Sequence, residues 1–203
     1  VLTIESIHTG RSQTLEVHLP PSYADHPGAE FPILVLLDGE TNLNHASAVS
    51  EFLAENGLVP EMIIIGVHAA PTRAQDYAFV PLQDGMPARG ERYLEFIQTE
   101  VIPLIEHDFR AAPMRIISGH SLGGAFVTSA LARRPKLFDA YLAQSPYLPG
   151  DFGEVVLDGL EAGLGSADEA SSFYYANLGK EPELRGAFRR LKDIVAESAI
   201  VRS

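Results

Sequence analysis

The first twenty residues alternate between apolar and polar positions on either side of a glycine-containing turn. The side chains of Leu15, Val17 and Leu19 fall on one face of a strand, and those of Glu16 and His18 fall on the other. Alternation with a period of two is typical of a strand with one buried face. The pattern therefore predicts an antiparallel hairpin at the start of the chain, followed by a polar, proline-rich loop.

Five short, continuous apolar runs follow the hairpin. Runs of this kind predict strands that are buried on both faces, and they are FPILVLLDG, MIIIGV, MRIIS, FDAYLAQSP and SSFYYANLG. Between the second and third strands, residues 68–90 are rich in proline, glycine and charge, which indicates a long loop.

Apolar residues spaced three and four apart predict helices between these strands. The stretches with this spacing are about 46–56, about 91–109, the run from Ser121 onward, and 182–198. In the first helix, Val49, Phe52 and Leu53 would face the core, and Gly57 would end the helix. We expect Pro103 to kink the second helix.

Buried strands that alternate with helices predict an α/β fold. The central sheet would be mostly parallel, with the antiparallel hairpin at its start and helices on both faces. A length of 203 residues fits one domain over 1–203. Ligand sites in such sheets lie at the carboxyl ends of the strands. Candidate chemistry therefore belongs just after Leu37, Val67, Ser118, Ala143 and Asn177.

Composition narrows the classes of partner. The chain is 46% hydrophobic and carries a net charge of −12, which argues against nucleic acid because phosphate binding needs clustered lysine and arginine. Its apolar runs are far shorter than the about 20 residues of a membrane span. Without cysteine or an H-x-x-H pair, we predict no metal site, and without a phosphate-binding glycine loop we predict no cofactor. The compartment stays open, and we favour a soluble, cytoplasmic protein.

The most specific motif is GHSLGG, residues 119–124, which matches the G-x-S-x-G nucleophile elbow. A β-branched run precedes it and a helical pattern follows it, as that motif requires. On such a turn the serine is held in a strained conformation at the positive end of a helix. We therefore predict that Ser121 is a nucleophile and that the N–H of Leu122 faces the developing oxyanion.

A second candidate lies at the end of an earlier buried strand, in the sequence LLDGE. It is either a simple strand-ending Asp-Gly turn or the other half of an oxyanion hole, supplied by the backbone N–H of Glu40. Backbone donation requires no particular side chain, so the residue types alone leave both interpretations open.

Several blocks of the chain together resemble a known family. The blocks are FPILVLLDGETNL, GLVPEMIIIGV, PTRAQDYAFVP, FIQTEVIPLIEHDFR, RIISGHSLGGAF and FDAYLAQSPYL. Their order resembles the esterase D / enterochelin-esterase-like branch of the α/β-hydrolases, from about residue 5 to about residue 181. The resemblance implies an α/β-hydrolase fold and cleavage of a small-molecule ester or thioester. Ser121 would be the nucleophile, and the N–H groups of Leu122 and Glu40 the oxyanion donors.

Substrates that the resemblance leaves open are siderophore esters, small acyl esters, feruloyl sugars and S-formylglutathione-like thioesters. The same elbow would also serve an acyltransferase, in which the acyl acceptor is not water. A further alternative is a binding protein that keeps the hydrolase fold without catalysis.

The acid of a catalytic triad follows the nucleophile in this fold. Glu181 and Glu183 both come just after the strand SSFYYANLG. We prefer Glu181 because it lies closer to the end of the strand. Two alternatives stay open: a glutamate at the start of a helix also stabilises the helix dipole, and some relatives work with a Ser–His dyad.

The general base is the missing element of the pattern. All seven histidines precede Ser121, and they are His8, His18, His26, His45, His68, His107 and His120. His45 and His68 lie nearest to the predicted site edge, and His120 belongs to the elbow itself. In the family, the histidine lies on a loop after one more strand. This chain stops at AIVRS, where that strand would begin, so we expect it to lack the final strand and the histidine loop.

The loop PTRAQDYAF offers a charged pair, Arg73 and Asp76. We favour a structural role in which this pair shapes the loop, and the alternative is that Arg73 meets an acidic substrate. Tyr77 and Phe79 are either buried packing residues, which we favour, or walls of an acyl pocket.

Overall fold

The computed structural model describes residues 1–83, 85–166, 172–198 and 201–202. The strands are β1 (Leu2–Ser6), β2 (Arg11–His18), β3 (Phe31–Leu37), β4 (Ile63–Val67), β5 (Ala111–His120), β6 (Ala140–Gln144), β7 (Ser172–Asn177) and β8 (Val201–Arg202). The helices are α1 (Gly39–Glu55), α2 (Arg73–Asp76), α3 (Gly90–Phe96), α4 (Ile102–Asp108), α5 (Leu122–Arg133), α6 (Gly150–Ser166) and α7 (Arg185–Glu197). None of these described helices is long and apolar enough to cross a bilayer.

The chain forms two compact units. One consists of Val1–Pro71 and Arg92–Ile116, and the other of Thr72–Glu91 and Ile117–Ser203. Strand β5 begins in the first unit and ends in the second.

In the first unit, the predicted hairpin and the first two buried strands are confirmed. β1 pairs with β2 in antiparallel register, with Leu2 opposite Leu15. β2 pairs with β4 antiparallel, and β4 pairs with β3 in parallel. Every residue of β4 is buried, which explains why its sequence is an unbroken apolar run rather than an alternating one.

Helix α1 differs from its prediction in both its start and its buried face. It begins at Gly39 rather than near residue 46. Val49 and Phe52 are 54% and 63% exposed, so the prediction that they face the core was wrong. The helix approaches β4 through Gly39, and Leu43 joins the core cluster one turn later. Since these two residues fix the face turned to the sheet, the face with Val49 and Phe52 points elsewhere.

The predicted kinked helix over 91–109 consists of three parts. α3 is followed by a π-helical turn at Ile97–Val101 and then by α4, which has Pro103 in its first turn. A proline ring clashes with the carbonyl four residues earlier in a regular helix, and that residue, Thr99, lies in the wider π-helical turn. The helix is therefore irregular just before Pro103, and the expected kink stays a prediction.

In the second unit, the predicted strands pair in parallel. β7 alternates between buried and exposed residues, with Phe173 and Tyr175 exposed, so the prediction that this strand is buried on both faces was wrong. Gln144 lies opposite Asn177 at the carboxyl ends of β6 and β7, and Ser172 lies opposite Val201 in β7 and β8. β8 lies within the segment AIVRS, where the sequence predicts a further strand to begin; residues 199, 200 and 203 of that segment lie outside the described residues, as does residue 171. The helix predicted from Ser121 onward is α5, in which ten residues are buried.

Helix α6 is not predicted by the sequence pattern. It contains glycines at 150, 153, 159, 163 and 165, and glycine has a low intrinsic helix propensity. Two of these glycines permit close packing, because a Cβ at Gly163 would lie 2.3 Å from the Ala132 carbonyl oxygen and one at Gly153 would lie 2.2 Å from that of Leu148. The glycines that weaken the helical sequence pattern therefore also allow α6 to pack closely against its neighbours.

Alanine substitutions at two α6 glycines should have opposite effects on stability. We expect Gly163→Ala to lower the free energy of unfolding by about 2 kcal/mol, because its Cβ would meet backbone atoms of α5. We expect Gly159→Ala to raise it by about 0.5 to 1 kcal/mol, since no atom lies within 4 Å of its Cβ and alanine is the better helix former. Urea unfolding of both variants checks this, and equal effects would contradict the packing of α6 on α5.

Candidate active site

Ser121 lies between β5 and α5 in a backbone conformation that residues other than glycine rarely adopt. Its φ is 58° and its ψ is −117°. The Ser121 N–H donates to the Gln144 carbonyl at 2.9 Å. The Ser121 carbonyl accepts from the N–H groups of Ala125, at 3.0 Å, and Tyr147, at 2.9 Å. The backbone at Ser121 is therefore the sharp strand-to-helix turn that the motif predicts, held by hydrogen bonds on both sides.

The last glycine of GHSLGG brings the start of α5 against the end of β6. A Cβ at Gly124 would lie 2.9 Å from both the Gln144 carbonyl oxygen and the Pro146 Cα. These are backbone atoms that cannot move aside easily. The GHSLGG motif therefore requires glycine at position 124, because any side chain there would clash with the backbone after β6.

Leu122 is the first residue of α5. The first N–H groups of an α-helix have no acceptor within the helix, and the N-terminus carries a partial positive charge. The Leu122 N–H is therefore suited to bind a negative oxygen that develops beside Ser121.

A cavity of about 460 Å³ adjoins Ser121 and Leu122. The other residues that line it are Arg73, Leu82, Gln83, Tyr147, Pro149 and Phe152. The ring centroids of Tyr147 and Phe152 are 6.0 Å apart. The wall thus combines apolar and aromatic side chains with polar groups, among them the side chains of Arg73 and Gln83. The cavity is large enough to take part of a small organic substrate.

The segment before α3, which contains the short helix α2, contacts the Ser121 turn. Arg73 Nη2 donates to the His120 carbonyl at 3.3 Å, and its guanidinium lies 5.3 Å from the Tyr77 ring centroid. Asp76 is buried and accepts from Thr72 Oγ1 at 2.6 Å. These contacts give both charged residues a loop-shaping role, and they leave Arg73 on the cavity wall as well.

Tyr77 and Phe79 both pack against helix α5 in the second unit. Their ring centroids lie 5.5 Å and 5.3 Å from that of Phe126 in α5. Buried packing is therefore confirmed for Tyr77, whereas Phe79 packs against Phe126 but is only half-buried.

Glu181 and Glu183, the two candidate acids, differ in their surroundings. Glu183 is exposed. Glu181 is half-buried, and its Oε2 is buried without a hydrogen-bond partner among the described residues. A buried carboxylate oxygen is costly unless something donates to it. Glu181 therefore has a buried acceptor oxygen that lacks a donor within the described ranges, whereas the exposed carboxylate of Glu183 is accessible to water.

In the first unit, Glu40 lies in the first turn of α1. Its Oε1 accepts from the N–H groups of Ala69, at 3.3 Å, and Ala70, at 3.0 Å, so its side chain ties the start of α1 to the loop after β4. The sequence reasoning concerned only its backbone and missed this contact. As the second residue of the helix, Glu40 has an N–H without an intrahelical acceptor.

The histidines have contacts of their own. Four lie within 3.2 Å of a carboxylate oxygen, in the pairs His8–Glu95, His18–Glu51, His68–Glu16 and His107–Asp108. His26 Nδ1 lies 3.3 Å from the Ser22 carbonyl, and His45 and His120 are exposed. His68, which the sequence places near the site edge, directs its Nε2 to Glu16 of β2.

Three non-glycine residues with positive φ occur among the described residues, namely Asp38, Ser121 and Ser145. Each follows directly the last residue of a strand. Strained positions of this kind cluster at functional sites. Sequence reasoning missed Ser145, since only the Ser-Pro pair at the end of β6 signals that the backbone turns sharply there.

Within the described ranges, no group of three or more histidine, aspartate or glutamate side chains could hold a metal ion.

Comparison with known proteins identifies the family of the chain. Residues 6–179 match the model of the Esterase family, described as "Putative esterase". Among curated proteins, the chain is 28% identical over 156 residues to the ferri-bacillibactin esterase BesA of Bacillus subtilis (strain 168). The aligned region covers 66% of this chain and 54% of BesA. The match thus spans about half the length of that relative.

Solved structures resemble the chain over nearly its whole length. An IroE-like serine hydrolase from Shewanella oneidensis has a TM-score of 0.85 at 23% identity, over 98% of this chain and 70% of that one. The enterobactin esterase FES from Shigella flexneri has a TM-score of 0.79 at 20% identity, over 100% of this chain and 52% of that one. The predicted α/β-hydrolase fold, with its mixed, mostly parallel sheet, is confirmed.

Proposed function

The chain belongs to the esterase family, and from this premise we propose that it hydrolyses a carboxylic ester or thioester through an acyl-enzyme on Ser121. The Ser121 hydroxyl attacks the carbonyl carbon and loses its proton to a base, and the alcohol or thiol leaves with that proton. Water then attacks the acyl-enzyme and releases the acid. The observation that carries the proposal is the strained Ser121 turn on the wall of a 460 Å³ cavity.

The oxyanion donors in this proposal are the N–H groups of Leu122 and Glu40. The position of each residue in the first turn of a helix supports the assignment, because such N–H groups lack intrahelical acceptors. For Glu40, the resemblance supplies the further support.

The proton acceptor in this proposal is the histidine that the resemblance predicts on a loop after one further strand. Experiments therefore use the full-length gene product. Glu181 would accept the second ring N–H of that histidine and hold the ring in the productive orientation. The buried, unpartnered Oε2 of Glu181 supports this role.

Glu181→Gln should lower kcat for ester hydrolysis roughly a hundredfold, because the amide cannot stabilise an imidazolium as a carboxylate does. Glu183→Gln is the matched control, since it removes an equal charge from an exposed side chain two residues away. We expect Glu183→Gln to stay within about twofold of the unmodified protein. Steady-state kinetics of both variants decide between the two glutamates, and the reverse order of effects would assign the acid to Glu183.

A siderophore ester is the substrate class that we propose. The names of BesA, a ferri-bacillibactin esterase, and of the enterobactin esterase FES support this choice over the other ester classes. The test is hydrolysis of ferri-bacillibactin, enterobactin and an aryl acetate by the full-length gene product, followed by chromatography of the products. Hydrolysis of the aryl acetate alone would overturn the substrate class. Binding of a siderophore without turnover of any ester would favour the non-catalytic binding protein.

A further inference from the structure

The segment after β6, residues 144–147, contacts the Ser121 turn. The Gln144 carbonyl accepts the Ser121 N–H at 2.9 Å, and the Tyr147 N–H donates to the Ser121 carbonyl at 2.9 Å. Both peptide groups of Ser121 are therefore fixed by residues that flank Ser145 in this segment.

The same segment contacts the loop after β7. The Ser145 N–H donates to the Asn177 carbonyl at 3.1 Å and to Asn177 Oδ1 at 3.0 Å. The Ser145 Oγ accepts the Gly179 N–H at 2.9 Å. Ser145 is 9% exposed and has a φ of 39°. A residue other than glycine persists at such a φ only where its surroundings fix it, and these hydrogen bonds do so.

Gly179 lies between Ser145 and Glu181. A Cβ on Gly179 would be 3.3 Å from the Ser145 Oγ and 3.4 Å from the Glu181 Oε2. The serine hydroxyl and the carboxylate thus approach the same Cα, and the hydrogen bond from Gly179 to Ser145 fixes the chain two residues before Glu181.

We propose that Ser145 is a positioning residue that fixes the loop carrying Glu181 relative to the Ser121 turn. This inference rests on the proposed function, in which Ser121 is the nucleophile and Glu181 the acid. Ser145 acts through Glu181 and need not touch the substrate. Its hydroxyl fixes the acid loop, while the neighbouring residues Gln144 and Tyr147 fix the nucleophile, so one short segment sets the geometry of both.

The test is a double-mutant cycle in the full-length gene product with an aryl acetate as substrate. Ser145→Ala should lower kcat roughly five- to tenfold with KM unchanged, the size expected for one lost hydrogen bond that matters in the transition state. In the Glu181→Gln background, Ser145→Ala should change kcat by less than about twofold, because the residue through which it acts is already disabled.

Two further variants separate positioning from folding. Ser145→Gly also removes the hydroxyl but accepts a positive φ without strain, so we expect the same loss of kcat with an unchanged midpoint of thermal unfolding. Ser172→Ala is the control, a buried serine at the opposite end of β7 whose Oγ lies 2.5 Å from the Pro135 carbonyl and 3.3 Å from that of Phe138. It should leave kcat of the folded protein unchanged.

The outcomes distinguish the two proposals. An unchanged kcat in Glu181→Gln would overturn the acid assignment, and the Ser145 inference with it. A large loss in Glu181→Gln together with an equal effect of Ser145→Ala in both backgrounds, or no effect in either, would overturn the Ser145 inference alone.

Discussion

Ser121→Ala should lower kcat/KM for ester hydrolysis by roughly 10⁴- to 10⁶-fold in the full-length gene product. The substitution removes the one atom that forms the acyl bond. It leaves the cavity and the Leu122 N–H in place, so a residual rate from binding and oxyanion stabilisation should persist. The fold should be unaffected, because alanine and serine experience the same strain at a φ of 58°.

The control for this variant is Ser129→Ala, which removes a buried hydroxyl from the same helix. We expect it to retain kcat/KM within about twofold. Initial rates with an aryl acetate, together with thermal unfolding of both variants, complete the comparison. A folded Ser121→Ala protein that keeps more than about 1% of the activity would contradict the nucleophile assignment.

Gly39→Ala should lower the free energy of unfolding by about 3 kcal/mol. A Cβ at Gly39 would lie 2.3 Å, 2.5 Å and 2.7 Å from the C, Cα and O atoms of Gly66. Gly66 cannot move aside, because β4 is paired with β2 on one edge and with β3 on the other. The first turn of α1 must therefore shift, and the contact of Glu40 with Ala70 shifts with it.

Gly28→Ala is the matched control in the same unit, since nothing lies within 4 Å of its Cβ and its φ is not positive. We expect its stability to be equal to or up to about 1 kcal/mol above that of the unmodified protein. Urea unfolding measures both variants. Equal stability of Gly39→Ala and Gly28→Ala would contradict the close approach of α1 to β4.

The strands can be predicted from the sequence, because each is an apolar run of limited length. The turn at Ser121 can be predicted because the G-x-S-x-G motif corresponds to a defined strand-to-helix geometry. The buried face of α1 does not follow from the sequence. Its contact with the sheet runs through Gly39 and Leu43, and a glycine carries no apolar signal. Helix α6 cannot be predicted from the apolar pattern for a similar reason, because its packing on α5 depends on a glycine, Gly163.

In the candidate site, the sequence locates Ser121 and Leu122 but not Ser145. A positive φ at a serine depends on tertiary contacts, here with Asn177 and Gly179, which no local pattern reports. The environments of Glu181 and Glu183 also depend on tertiary structure. The burial of Glu181 Oε2 results from how the loop after β7 folds. The carboxylate partner of His68 likewise depends on the pairing of β2 with β4.

The central claim is that Ser121 is the acylated nucleophile of this protein. Its most direct test is to treat the full-length gene product with a fluorophosphonate probe and locate the adduct by peptide mass spectrometry. We predict one adduct per chain, on Ser121, with ester hydrolysis lost in proportion to labelling. A full-length protein that hydrolyses esters while Ser121 stays unlabelled, or one that is labelled on another residue, would contradict the claim.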